Sequence, residues 1–501
     1  MGRCRERDIL NACQLLGDMS PTLEERAFSM AKKRMILNAF TSQKVHHYSM
    51  GGWKHPQHTI DQGCFTTEYW TRLAQTLERG FFDGIFFAHT DGVYDVYKDS
   101  PRTGIEQGAH FPQEEPPLVL SAMAAATKHL GLITTLSTSY HNPYFAAKLF
   151  TTLDHLTEGR VAWNIVTSFT KSGAENNGVP PQPHDERYER SQEYMDIVYK
   201  FWEHSWEDDA YVRDREKDIY IDADKVHYID HEGKWYGKIP GPHLCGPSIQ
   251  RTPLLFQAGQ SAAGVGFAAK HAECVFSILP TIARAKKHVQ DVVEQAAKFG
   301  RTRDDLKFVN SMCVVTAPTD EEAEMKAKFI RSNSSYEGAL ALLSGMAGVD
   351  LSQLSPTQSI DALSEDDVVG IKGFSGIFKA IDPDRHWTMD DIAEYTSLGG
   401  VNPVIIGSPQ TVADKLEEWI DESDLDGFNI YAPVHPASFH DFVDLVVPEL
   451  QRRGRARTEY DSTTVRENFF GAGEKRLRPN HYAFSDAVLP PWRKAVQAAN
   501  A

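Results

Sequence analysis

The sequence predicts an α/β fold, specifically a (β/α)8 TIM barrel with two long insertions over its C-terminal mouth. Three observations predict it. Short apolar segments recur along the chain, helix-spaced segments separate them, and glycine or acidic turn residues close several of the helices. Strands that alternate with helices must lie parallel, because each helix carries the chain back to the starting edge of the sheet. An open doubly wound sheet also fits that alternation, but about eight units in one chain favour closure into a barrel.

The elements follow in order. Residues 35–40 (MILNAF) form an apolar run behind the basic Lys32-Lys33-Arg34, and 69–79 has helical spacing up to Gly80. Residues 84–88 (GIFFA) give the next strand, 117–129 a helix before Gly131, and 132–137 (LITTLS) a β-branched strand. A helix over 144–156 stops at Glu158-Gly159, and 160–167 (RVAWNIVT) is the fourth strand. A long amphipathic helix covers 188–203. Residues 253–258, 273–277, 308–315 and 427–431 complete the strands. Helices are expected over 283–299 and 411–420. Ser408-Pro409 opens the latter, since Ser caps and Pro is tolerated at the first helical position.

Two stretches break the rhythm: 205–252, rich in Asp, Tyr, His, Gly and Pro, and 333–400, of mixed Ser, Gly and acidic character. Both are expected over the barrel mouth, where loops carry function. The domain reading is a loosely attached extension at 1–30, one barrel domain over 31–475, and a tail at 476–501.

Composition narrows the function. The net charge of −17 opposes a nucleic-acid or anionic-membrane partner, since both need a positive field. No apolar run approaches the roughly 20 residues of a membrane span, and the first 30 residues lack the apolar core of a secretory signal. Cys4, Cys13, Cys64, Cys245, Cys274 and Cys313 show no CxxC spacing, so neither a disulfide framework nor a zinc site is expected. His227 and His231 lack the surroundings of a metal site. A cytoplasmic location follows.

Several clusters sit where strands end. Gln257-Ala258-Gly259-Gln260-Ser261 closes a strand and opens a helix. It reads as a phosphate seat, with glycine for close backbone approach and Ser261 at a helix N-terminus, or as an ordinary turn with a serine cap. Its glycines are not spaced as GxGxxG and no Walker lysine follows. Residues 137–144 (STSYHNPY) crowd hydroxyls, an imidazole and an amide into one loop, for a planar heterocycle or simply a polar turn. Asn164 in the fourth strand needs partners if it points into a barrel. His184 and Tyr188, four residues apart, share a helical face at the start of the long helix, where acidic neighbours also suit a plain capped start. His46-His47 and 53–58 (WKHPQH) follow the first strand, and a histidine there can act as acid or base at neutral pH or simply face solvent.

Taken together, these stretches resemble the bacterial-luciferase-like FMN-dependent monooxygenases, in their nitrilotriacetate/EDTA and dibenzothiophene-sulfone monooxygenase branch. The resemblance runs from about Lys33 to Gly471 through MILNAF at Met35, STSYHNPY at Ser137, TLDHLTEGRVAWNIVTS at Thr152, HDERYER at His184, QAGQSAAG at Gln257, SPQTVADKL at Ser408, DGFNI at Asp426 and VDLVVPELQRRG at Val443. It implies FMN in the barrel mouth, used as FMNH2 supplied by a transient flavin reductase, with O2 and a small organic substrate oxygenated next to N or S so that a C–N or C–S bond breaks. It implies a homo-oligomer. Thr138, His184, Tyr188 and Ser261 are the FMN contacts it suggests, with His89 at the position where relatives read Ala-Asp. Here that loop reads Ala88-His89, and Asp91 stands two residues on. Where part of the family has Glu-His after the third strand, this chain has His141-Asn142. His47 and His141 are the candidate proton-transfer residues. Rival readings are a deazaflavin-dependent or flavin-degrading oxidoreductase on the same fold, and a flavin-binding protein without turnover. An acidic polycarboxylate substrate would call for Arg or Lys in the mouth. An apolar sulfur compound would call for aromatics such as Phe40, Trp53, Tyr140, Phe169 and Tyr431.

Overall fold

The computed structural model describes residues 32–45, 47–363 and 374–500. Four parallel strands come first: β1 (Ile36–Thr41), β2 (Gly84–Phe87), β3 (Gly131–Ser137) and β4 (Val161–Val166). Two short antiparallel hairpins follow, β5 (Tyr211–Asp214) with β6 (Ile219–Ile221), and β7 (His231–Gly233) with β8 (Gly237–Ile239). Then come β9 (Leu254–Gln257), β10 (Cys274–Ser277), β11 (Lys307–Thr316), β12 (Val404–Gly407) and β13 (Gly427–Tyr431). Strands β1, β2, β3, β4, β9, β10, β11 and β13 pair in that circular order, each parallel to the next, and β13 returns to β1. The expected eight-stranded closure is what the chain forms, and all eight strands fall on the expected segments.

Period-two alternation explains the closure. On β1, Leu37 and Ala39 face the helices, while Ile36, Asn38 and Phe40 face the interior. Near the mouth the interior is sealed by Phe40, Phe86, Phe256 and Phe276, whose rings meet at 5.0–5.6 Å. Below them Asn38 donates to Asn429 Oδ1 at 2.9 Å, while Asn38 Oδ1 and Asn429 Nδ2 are buried without a hydrogen-bond partner. Asn164 likewise donates to Thr135 at 2.9 Å, while its Oδ1 is buried without a hydrogen-bond partner.

The opposite end is closed by ion pairs rather than rings. Buried Asp83 accepts from Arg34 (2.8 Å), Arg457 (2.6 Å) and the Leu37 amide (2.9 Å). Fully buried Arg466 clasps both Glu273 oxygens at 2.7 and 3.0 Å. Beyond it, His481, Ala483, Val488 and Leu489 of the C-terminal tail are buried against the barrel.

The two insertions part company. The stretch 205–252 lies between the helix His184–His204 and β9, so it enters at the N-terminal end of the strands. Gln250 bonds to Asp154 and to the Val161 carbonyl there, and Arg251 to the Trp202 and Trp206 carbonyls. Only the β7–β8 turn climbs back, where the Tyr236 hydroxyl reaches the Thr138 carbonyl at 3.4 Å. The expectation that this insertion covers the mouth is therefore corrected: a segment joining a helix to the next strand emerges at the far end. The second insertion follows the helix Asp320–Ser332, which comes after β11, and does reach the mouth, where Met346 and Ile377 line the cavity. It returns through β12, a four-residue strand paired outside the barrel on β11 that sequence reading missed. The extension at 1–30, His46 and residues 364–373 lie outside the described residues. No described helix is long and apolar enough to cross a membrane.

Candidate active site

A cavity of about 320 Å³ opens at the C-terminal mouth. The ends of β4, β9 and β10, the loop after β2 and the start of the helix His184–His204 wall it. Phe276 lies at its floor, and Met346, Ile377 and Val401 reach in from the second insertion.

One end is built for an anion. Ser261 caps the helix Ala262–His271, its hydroxyl accepting from the Gly264 amide at 3.1 Å. His184 Nε2 lies 3.2 Å from the same hydroxyl, while its Nδ1 is 2.8 Å from Asp185. The Tyr188 hydroxyl presses against the turn: a Cβ at Gly259 or Gly264 would stand 2.9 Å from it, so both positions need glycine to keep the cradle open. Arg187 donates through Nη1 to the Ser168 carbonyl at 2.9 Å, and its Nε is buried without a partner. Burial lowers its pKa from the ordinary value, and a guanidinium remains charged at neutral pH. Helix amides, two hydroxyls and an imidazole thus meet at one place, and the Arg187 guanidinium lines the same cavity beside Ser168; together they are the donor types a phosphate monoester takes.

Beside the cavity wall at His89 and Ser168, a carboxylate lies between two imidazoles. His89 Nε2 is 3.5 Å from Asp91 Oδ1, and His141 Nε2 is 4.0 Å from the same oxygen. Ser168, which lines the cavity, donates to Asp91 at 3.3 Å, and its hydroxyl oxygen lies 2.8 Å from that of Ser137. Burial pushes the Asp91 carboxyl up, but the hydrogen bond and positive charge of His89, the charge of His141 and Ser168 outweigh it and hold it below the usual value.

Comparison with known proteins decides what this arrangement belongs to. The family model described as luciferase-like monooxygenase matches residues 48–424, more than half of the chain. This chain belongs to the luciferase-like monooxygenase family. It is 42% identical to the dimethyl-sulfide monooxygenase of Hyphomicrobium sulfonivorans, over 91% of this chain and 95% of that one. It is 35% identical to nitrilotriacetate monooxygenase component A of Aminobacter aminovorans, over 87% and 96%. Among solved structures it superposes on a riboflavin lyase (RcaE) crystallised with modified FMN and the substrate riboflavin, with TM-score 0.83, 34% identity and coverage of 90% and 99%.

Within this luciferase-like site the expected residues divide. His89, His184, Tyr188 and Ser261 line the cavity. Thr138 does not: it is fully buried behind the wall, with its hydroxyl 2.5 Å from Ser191 and donating to the Val166 carbonyl at 3.2 Å. His141 stands at the rim beside Asp91, and its neighbour Asn142 caps the helix Pro143–Leu156 by accepting from the Tyr144 and Phe145 amides. His47 is buried below the loop after β1, stacked on Tyr48 at 4.0 Å and 4.8 Å from Phe40, apart from the cavity lining. Of the proposed aromatic lining only Phe169 faces the cavity. Phe40 and Tyr431 are buried, Trp53 is 48% exposed, and Tyr140 donates to the Thr170 carbonyl.

Arg187 is the residue that sequence reading passed over, although it lies three positions after His184 and shares its helical face. Ser168 was adjacent to the chosen Phe169, while Asp91 was readable in the sequence as the carboxylate two residues after His89. Nothing in the sequence linked Gln113 to His89, yet its amide meets His89 Nδ1 at 2.6 Å.

Proposed function

We propose that this chain is the oxygenating component of a two-component system. It takes FMNH2 from a separate reductase and uses O2 to oxygenate a small organic substrate next to N or S, with C–N or C–S cleavage. The observation that carries this reading is the anion seat of Ser261, His184 and Tyr188, with Arg187 on the same otherwise largely apolar cavity. That seat fits the FMN phosphate. The ring system would lie toward Ile165, Val166 and Phe276, with His89, Ser168 and Ser277 at its polar edges. FMN, when bound in its reduced form, supplies the activation of O2.

The chain does the rest. Arg187 and the N-terminus of the helix Ala262–His271 hold the charged end and fix the ring by its tail. Met346, Ile377 and Val401 keep water from the reacting face, which limits loss of oxygen as hydrogen peroxide. His89 and His141, sharing Asp91, are placed to hold or pass a proton at Nε2. His47 is farther back, stacked on Tyr48 and edge-on to Phe40, so any part it plays in proton transfer is indirect. Arg187 is the one cationic lysine or arginine among the described lining residues, and it belongs to the anion seat, so the remaining space suits an uncharged substrate. The same reading makes the protein cytoplasmic and a homo-oligomer; its described cysteines Cys64, Cys245, Cys274 and Cys313 are free.

The test supplies reduced FMN through a flavin reductase, under 18O2, with a panel of thioethers, sulfones and N-alkylamines. One 18O per oxidised product and cleavage at the heteroatom are expected. Retention of bound reduced FMN with no reaction with O2 would identify a flavin-binding protein without turnover.

A further inference from the structure

Behind the cavity lies a buried polar chain that the proposed chemistry does not use. Lys44, on the loop after β1, is 1% exposed. Its ammonium nitrogen stands 2.9 Å from His110 Nδ1 and 3.2 Å from Gln113 Oε1, and no described carboxylate forms a salt bridge with it. Burial pushes the amine well below its ordinary pKa. The backbone sets this meeting up: Lys44 and Gln113 face each other in an isolated antiparallel bridge, extended by the Glu114 amide donating to the Gln43 carbonyl.

Gln113 can hold only one orientation. Its Oε1 accepts from Lys44, and its Nε2 donates to the Thr90 carbonyl at 3.0 Å. Flipping the amide would set an oxygen against that carbonyl and an NH2 group against the lysine. With the amide fixed, Nε2 also points at His89 Nδ1 at 2.6 Å, and that nitrogen must be the acceptor. The imidazole proton is then on Nε2, the nitrogen that faces Asp91.

We propose that Lys44 and Gln113 are positioning residues that lock His89 with its proton on Nε2, toward Asp91 and the cavity, and so set up a His89–Asp91 acid–base pair. This rests on the proposed function for its use and on the geometry alone for its existence. It also accounts for the departure from the family pattern in the loop after β2. The carboxylate lost at position 89 reappears as Asp91 behind an imidazole, and Lys44 and Gln113 supply the orientation the imidazole needs. The charged and titratable groups around His89 are Asp91 at 3.5 Å, Glu115 at 3.8 Å, His141 across Asp91, Arg187 on the same cavity, and Lys44 with His110 behind Gln113.

The test uses flavin-free full-length protein labelled with 15N-histidine, with His89→Asn to assign the signal. Two-bond proton–nitrogen correlations report the tautomer. The expected wild-type form carries the proton on Nε2. Gln113→Glu, which keeps the shape, places a carboxylate at Nδ1. The protonation midpoint of His89 should then rise by about one pH unit or more. The acid limb of the kcat profile for oxygenated product should move with it, with KM little changed. Lys44→Met frees the amide, and both tautomers should appear. A wild-type His89 protonated on Nδ1, or a midpoint and tautomer that respond to neither substitution, overturns the proposal even if reduced FMN binds and turns over. If the tautomer and midpoint behave as stated but reduced FMN does not bind, the lock on His89 stands and the proposed function falls.

Discussion

Arg187 lines the cavity with a buried, unpartnered Nε, and a lone buried donor on a cation is costly unless an anion completes it. Arg187→Met is therefore expected to weaken FMN binding by about 10- to 100-fold, a charge-assisted hydrogen bond being worth roughly 1.5–3 kcal/mol, as titration of wild type and variant would show. Gly259→Ala probes the same seat from the backbone side. Its Cβ would lie 2.5 Å from Gln257 Nε2, 2.6 Å from the Gly264 Cα and 2.9 Å from the Tyr188 hydroxyl, so the turn and the helix start must move apart. FMN affinity and the unfolding midpoint should both drop; unchanged FMN affinity in the folded variant would mean that this turn does not shape the seat. At this scale the sequence was partly legible. Ser261 was readable because a cap must precede its helix, and His184 and Tyr188 because four residues share a face. Thr138 looked equally exposed at a strand end, but its hydroxyl turns to Ser191. The Lys44–Gln113 contact spans 69 residues, and no local pattern encodes it.

Among the elements, the C-terminal segment closes the barrel floor through Arg466 and Glu273. Glu273 also accepts from the Leu255 amide at the start of β9, so one carboxylate ties three segments together. Arg466→Met would leave that carboxylate buried and unpaired. A loss of about 3–5 kcal/mol is expected, read as a lower denaturation midpoint, and Arg466→Met combined with Glu273→Leu should recover most of it. If the double variant were no better than the single one, the cost would lie in packing around the arginine rather than in the stranded charge. Strands were legible because each is an apolar run between turn residues. Strand β12 escaped because four residues beside Asn402-Pro403 show no period. The first insertion was misplaced for a different reason: composition marks a loop, and only its order after a helix tells which end of the barrel it leaves.

For the molecule as a whole, several histidines are buried in the neutral form. Burial lowers His204, His243 and His288 from 6.5 to about 4, and His481 to about 3. The unfolded chain binds these protons first as pH falls. The stability they contribute is complete above about pH 6.5 and is lost progressively down through pH 4 and 3. Thermal unfolding should thus show a midpoint that is flat near neutrality and declines steadily below pH 6.5. A midpoint constant down to pH 4 would mean these rings are solvated or already charged in the folded state. Closure of the barrel was readable from the count of strand–helix units, whereas the cavity was not, since its walls come from the ends of separate strands and from an insertion more than 50 residues from any of them in places. The central claim is that this mouth binds reduced FMN by its phosphate. It is tested most directly by anaerobic titration with FMNH2 and, separately, with reduced riboflavin, which lacks the phosphate. Tight FMNH2 binding, at least tenfold weaker for reduced riboflavin and reduced to the riboflavin level in Arg187→Met, is the predicted result; equal affinity for the two flavins, or none for either, would contradict it.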